Sequence, residues 1–266
     1  MALTVKQNTK IAIEIEDTEG TYKAPTAASS YVQTLADGTE ISPSKELLER
    51  NIFNGSLGKT QPRTGTRTVS GSIPVECRAL STAGGAPEYD ALLRSALGGR
   101  RQATTTTTTK SSGNTSTVLQ IEDADISKFN VGDIVLVKQS GEYHVSPITA
   151  KSTGTGTATI TLLVAHPGGN MDNSVVVEKF TTYTVANSGH PSLSVSKFVE
   201  DEVLEKAIGA RVTSMALQNF STGQIPTLTF GFEGLDFDRE LATPVYTPSY
   251  DSALPPIILG AKLYMD

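Results

Sequence analysis

Residues Thr66 to Cys77 alternate so strictly that an extended strand is the only regular structure that suits them. Val69, Gly71, Ile73, Val75 and Cys77 fall on one face, and Thr68, Ser70, Ser72, Pro74 and Glu76 on the other, because successive side chains of a strand point to opposite sides. One face is suited to a core and the other to water or a partner. The segment that follows, PEYDALLRSALGG, predicts a helix over residues 88–97. Pro87 suits a first helical turn, Tyr89, Leu92, Leu93, Ala96 and Leu97 form an apolar stripe, and Gly98-Gly99 supplies the stop. Strand and helix together place this stretch at the centre of a mostly β fold.

The remaining pattern is also dominated by strands. Ile11, Ile13 and Ile15 alternate with Lys10, Glu14 and Glu16, with Ala12 neutral between them. From Asp17 to Pro43 the alternation weakens into a loop-rich excursion with at most one strand. Leu47, Leu48, Ile52 and Phe53 suit either a helical turn or a strand. Asn54 to Gly65, with three glycines and Pro62, reads as a long connection. At Arg100-Arg101 the texture changes to a run of six threonines, Thr104 to Thr109, which has little to bury. Short apolar strands then recur about every ten residues until Gly189-His190-Pro191, the signature of a small inserted β-barrel or sandwich spanning residues 102–190. After it, Leu193, Val195 and Phe198 make a strand and Glu200-Asp201-Glu202 a turn. Arg211 to Asn219 and Pro226 to Gly234 form a hairpin, in which Leu228, Phe230 and Phe232 alternate with Thr227, Thr229 and Glu233. Past Leu235 four prolines indicate an extended arm, ending in a closing strand over residues 257–264. Residues 1–101 and 191–266 are thus two parts of one domain interrupted by another.

Chemistry is scarce. The single cysteine, Cys77, sits on the apolar strand face and reads as a buried thiol. Gly55-Ser-Leu-Gly58-Lys59-Thr60 resembles the end of a phosphate-binding loop, but Phe53 stands where the first glycine belongs and Gln61-Pro62 follows in place of a helix. His144, His166 and His190 have no metal-ligand spacing and read as surface or turn residues. Asp123 and Asp125 begin like a calcium loop, but Ser127-Lys128 breaks it. No pair of carboxylates is singled out as acid and base, so neither catalytic residues nor a cofactor or metal is expected. The net charge of −6 argues against gripping nucleic acid through its phosphates. No run approaches the length of a membrane span, and MALTVKQNTK lacks the pattern of a secretory signal, so synthesis in a cytoplasm is expected.

Several stretches in a fixed order carry a resemblance: the early strand followed by EDTEGTY, then SLGKTQPRTGTRTVSGSIPVE, PEYDALLRSALGG and GARVTSMALQNFSTGQIPTLTFGFEG. Together they resemble the tail tube proteins of long-tailed bacteriophages, over Ile11 to about Gly99 and Ser192 to about Gly234, the middle segment resembling β insertions of such proteins. The resemblance implies a mainly β fold, a tail-tube-type β-sandwich or barrel with one flanking helix. It further implies a structural virion protein made in the bacterial host. Its copies close into rings, typically hexameric, that stack into a hollow tube occupied during assembly by the tape measure protein, bounded by tail terminator and tail tip proteins, and later traversed by DNA without specific binding. On this basis Thr68, Ser70, Ser72, Thr227, Thr229 and Glu233 are the expected lumen-facing residues. Asn54, Lys59, Arg63 and Arg67 are the expected inter-ring loop. The helix would pack outside the tube sheet, and residues 102–190 would project outward. Two other functions fit the pattern: a tail terminator or completion protein, and a carbohydrate-binding adhesive β module, the latter disfavoured by the absence of tryptophan.

Overall fold

The computed structural model describes residues 8–50, 52, 61–78, 85–101, 106–110, 113–139 and 141–258. In chain order the strands are β1 (Thr9–Ile15), β2 (Tyr31–Val32), β3 (Glu40–Leu48) and β4 (Arg63–Glu76). The helix α1 (Asp90–Leu97) comes next, then β5 (Gly98–Arg101), β6 (Thr106–Thr108), β7 (Val118–Ile121), β8 (Ile134–Gln139), β9 (Glu142–Ser152), β10 (Ala158–Leu162), β11 (Val176–Lys179) and β12 (Thr182–Val185). The last four are β13 (Leu193–Val199), β14 (Val203–Gln218), β15 (Thr227–Gly234) and β16 (Asp236–Leu241). The chain is mainly β, as its alternating stretches predict, and divides into two compact units. One comprises residues 1–81, 87–99 and 185–266, the other residues 82–86 and 100–184. The two segments that lead out to the second unit and back, β5 and β12, pair with each other.

The first unit is a nearly closed, barrel-like sheet in the order β2-β1-β13-β14-β15-β4-β3, with β16 also on β14. Its long member is β14. The first half of β14 is flanked on one side by β13 and on the other by β16, while its second half pairs with β15. β15 and β16 run along the same side of β14 in one register, Glu233 opposite Arg211 and Asp236 opposite Ile208. Between β13 and β14 the acidic Glu200-Asp201-Glu202 is indeed a turn. Glu200 and Asp201 both take positive φ (55° and 58°), the Glu202 N–H donates to the Val199 carbonyl at 3.2 Å, and Lys10 pairs with Asp201 at 2.7 Å.

Burial in β4 follows the predicted alternation except at Pro74, with Val69, Ile73 and Val75 at 1% exposure or less. The helix packs over β14 and β1 of the same sheet: Leu92 and Leu93 are buried, and the Tyr89 ring lies 6.3 Å from that of Phe230 on β15. It begins at Asp90 and not at Glu88, because Pro87–Tyr89 forms a turn in which the Asp90 N–H donates to the Pro87 carbonyl at 2.8 Å. A second cluster lies beneath β1, where Ala12 packs with Tyr31, Phe198 and Leu204. There the face expected to meet water is covered, because a neutral alanine lets Tyr31 close over it.

Three other expectations need correcting. β3 runs from inside the supposed loop excursion, its first residues pairing with the apolar-patterned half of β4. β16 occupies the start of the supposed arm; its charged sequence, DFDREL, hides it because its side chains are half-buried or exposed. The predicted closing strand lies mostly outside the described residues, and Ile257 and Ile258 are not in a strand.

The second unit is a six-stranded sheet, β6-β11-β8-β9-β10-β7, around Leu119, Phe129, Val135, Val137, Ile148, Ile160 and Val177. The threonine run does have something to bury: Thr107 and Thr109 are 6% and 2% exposed, the Thr107 hydroxyl donates to Asp125, and the Thr109 hydroxyl donates to the Asp172 carbonyl at 2.7 Å. Asp133 is fully buried and is held by Lys179 at 3.2 Å, by Arg101 at 3.3 Å and by the Asn130 N–H at 2.8 Å. The start of the supposed calcium loop is a 3-10 turn, Asp123–Lys128.

Candidate functional site: a hydroxylated sheet face and its open edges

With no motif to begin from, the candidate site is built from strand register. Residues directly opposite in an antiparallel pair share a face. Glu40, Ser72, Gly231 and Ser214 therefore form one row across β3, β4, β15 and β14. Ser42, Ser70, Glu233 and Arg211 form the next, and Ser44 with Thr68 a third. The face they make carries hydroxyls, two carboxylates and one arginine, and its side chains are exposed or half-buried. Arg211 is itself paired with Glu19 at 2.8 Å, and that guanidinium holds the Glu19 carboxyl below its ordinary pKa.

The opposite face is apolar. Gly71 lies under Phe232, and a Cβ at residue 71 would stand 2.4 Å from that ring and 2.4 Å from the Glu40 carbonyl, so only glycine admits the aromatic there. Ile73 faces Phe230, and Phe230 faces Met215. Towards the end of β14 this apolar face emerges uncovered: Met215 and Leu217 are 42% and 51% exposed, with Phe220 and Ile225 also exposed beyond them.

Both margins of this four-stranded region are open. β3 ends the strand order, and no described strand pairs with its outer edge. On the other margin β13 stops opposite Ala210. The Val212 N–H donates to the Ser95 hydroxyl on α1 at 3.1 Å, and beyond it no described strand lies along that side of residues 213–218. Open edges bearing apolar side chains are aggregation hazards in a monomer and templates for pairing in an assembly.

The expected lumen-facing residues divide accordingly. Thr68, Ser70, Ser72, Thr229 and Glu233 share the hydroxylated face. Thr227 does not present its side chain: it is 6% exposed, and its hydroxyl accepts from the Asn219 amide at 3.3 Å. Pro74, assigned to the same face, is buried because residues 35–38 fold over it, the Leu35 N–H donating to the Pro74 carbonyl at 2.9 Å. Arg63 and Arg67 stand on β4 and not in a loop, Arg67 pairing with Asp236 at 3.1 Å; Asn54 and Lys59 lie outside the described residues. Ser42, Ser44 and Ser214 were missed, although the alternation of Ile41 and Pro43 with Ser42 and Ser44 is the signal that finds the first two.

A family model described as phage tail tube protein matches residues 6–257. The chain belongs to the phage tail tube protein family. No curated protein shows a match to it. Membership makes this tail tube protein a structural component of the virion tail and implies a multimeric assembly. No helix among the described residues is long and apolar enough to cross a membrane, and none of them form a cluster of three or more metal-binding side chains. Cys77 of the tail tube protein lies just past β4, half-buried, with burial pushing its thiol pKa up; burial likewise pushes the Tyr89 phenol up to about 12. His166 is buried at 3% exposure, against expectation, and the His190 ring lies between the Ser95 and Ala186 carbonyls at 2.9 and 2.8 Å.

Proposed function

We propose that this protein is the repeating subunit of the tail tube, closing into rings by strand pairing between copies. The outer edge of β3 in one copy lies along residues 213–218 of β14 in the next, so that each subunit adds the strands β14-β15-β4-β3 to one continuous sheet. The observation that carries this reading is that the two open edges lie on opposite margins of a single patterned sheet, the arrangement a head-to-tail ring requires. Six copies per ring, stacked, give the tube. The apolar Met215, Leu217, Leu47 and Leu48 are covered at the joint.

In this arrangement Ser42, Ser44, Thr68, Ser70, Ser72, Ser214, Thr229 and Glu233 line the lumen, and α1 lies outside it. Hydroxyls hydrate the wall, and carboxylates without compensating lysines repel the phosphate backbone, so DNA slides past without binding. The tape measure protein occupies the same lumen before DNA does. Terminator and tip proteins cap the stack, and residues 102–190 project away from the axis.

Electron microscopy of the purified protein tests this: rings and tubes are expected. The Met215→Lys, Leu217→Lys double variant is expected to remain folded by circular dichroism but to stay monomeric. Tubes of normal length from that variant would overturn the assigned joint. A wild-type protein that stops at single rings would make it a tail terminator instead.

A further inference from the structure

Among the described residues, Arg211 is the one cation that strand register places on the hydroxylated face. On a wall past which DNA slides, a guanidinium is a liability, because its forked N–H donors match a phosphate as well as a carboxylate. Arg211 does not stand bare. Its Nε and Nη2 donate to the two carboxylate oxygens of Glu19 at 3.1 and 2.8 Å, the bidentate arrangement a phosphate would otherwise take. Its Nη1 donates to the His190 carbonyl at 3.1 Å, so all three nitrogens are engaged.

Glu19 does not belong to the sheet. It stands in the turn after β1, where the Thr21 N–H donates to the Thr18 carbonyl at 3.0 Å and Gly20 takes a φ of 78°. The buried Glu16 fixes both halves of the pair. Its Oε2 accepts from the Gly20 N–H and its Oε1 from the Gly209 N–H, each at 2.8 Å. One carboxylate thereby ties the neighbour of Glu19 to β14, two residues before Arg211. Asp17, also in this turn, is taken up by Lys23 at 2.8 Å. Arg211 pairs with this borrowed carboxylate and not with Glu233, its opposite in register, so the sheet's own carboxylates are left to repel phosphate.

We propose that Glu19 is a guard residue: it occupies the phosphate-binding donors of Arg211, so that DNA passing the wall meets no free cation. This rests on the reading of the hydroxylated face as the lumen wall. A symmetric ring repeats Arg211 once per copy. Unguarded, these arginines form a collar of cations at one height, and affinity for DNA grows steeply with the number of phosphates contacted. The pair is solvent-exposed, with side chains 45% and 50% exposed, and adds little stability, so removing Glu19 leaves the fold intact.

Two measurements on the full-length chain separate the guard from the lumen. Phenylglyoxal condenses with accessible guanidinium groups. In unassembled protein, Glu19→Ala should raise the modification rate of Arg211, mapped by peptide mass spectrometry, about threefold. Arg67, paired with Asp236, serves as the unchanged internal reference. Tubes of Glu19→Ala should then carry down a labelled linear duplex shorter than themselves at about 50 mM salt and release most of it by about 200 mM. Tubes of wild type and of the Glu19→Ala, Arg211→Gln double variant should carry down none. Closed circular DNA, which cannot thread a tube, should stay in the supernatant throughout. Equal modification of Arg211 in wild type and Glu19→Ala would overturn the guard. Variant tubes that leave the linear duplex in solution, or retention that survives Arg211→Gln, would overturn its role towards DNA. Retention of closed circles together with the linear duplex would put Arg211 outside the lumen and sink the reading of this face. Protein that forms no tubes would count against the ring alone, and the modification rates would still decide whether Glu19 shields Arg211.

Discussion

Glu16 shows how much a single side chain organises in this protein. Its alternation assigns it to the polar face of β1, yet it is 8% exposed and accepts from the Ser194 hydroxyl at 2.9 Å, the Gly209 N–H at 2.8 Å and the Gly20 N–H at 2.8 Å. It thus joins β1, β13, β14 and the loop after β1. Glu16→Ala leaves these donors unsatisfied and should cost about 3 kcal/mol in urea unfolding, with Glu16→Gln costing less. His166 gives a pH dependence in the second unit. Burial first, then the neighbouring His144 ring 5.3 Å away, holds its imidazole below the ordinary value, with Glu142 acting in the opposite sense. Its Nδ1 accepts from the Gly168 N–H at 3.0 Å, and its Nε2 has no partner. The unfolded chain therefore takes up the proton more readily than the native one. The stabilisation is complete above about pH 6.5 and declines as the pH falls below it. Thermal melts across that range should show the loss, and His166→Gln should flatten it. Neither role was legible in the sequence, because a carboxylate's or imidazole's partners come from segments far away along the chain.

At the scale of elements, the most legible parts were those whose two faces differ. β4, β15 and α1 could be read because each has a core on one side and polar surroundings on the other. Leu92, fully buried beneath α1, should cost about 2–5 kcal/mol when cut to alanine, and the size of the loss measures how far the helix secures the apolar face. β3 and β16 were hidden for the converse reason. Most side chains of β3 are exposed, so its only mark is the short alternation of Ile41 and Pro43 with Ser42 and Ser44, and those of β16 are half-buried or exposed, so no period marks it. Of the candidate surface, the hydroxylated face followed from alternation once Val69 and Phe230 fixed the inward side. Its open margins did not, since an edge is defined by what pairs with it and not by its own residues. Thr227 shows the limit of the method: its parity was right, but Asn219 covers it.

The whole molecule joins two units through a pair of adjacent strands, β5 and β12. Neighbouring strands lie about 5 Å apart, so removing residues 102–181 and bridging the gap with a short glycine-serine linker should leave the first unit folded and competent to assemble. Circular dichroism and electron microscopy check this, and loss of the remaining fold would refute the organisation as two units. The register of β1 has a further consequence, for synthesis. β1 pairs along its whole length with β13, Thr9 with Val199 and Ile15 with Leu193, so β1, once it has left the ribosome, waits for a partner nearly two hundred residues downstream. At bacterial elongation rates of roughly 5–20 residues per second that wait is tens of seconds. During it the second unit, whose six-stranded sheet is paired among its own described strands, can complete. A nascent chain therefore cannot finish its sheet, or present the two edges proposed to join copies, until β14, β15 and β16 have followed β13 out of the ribosome.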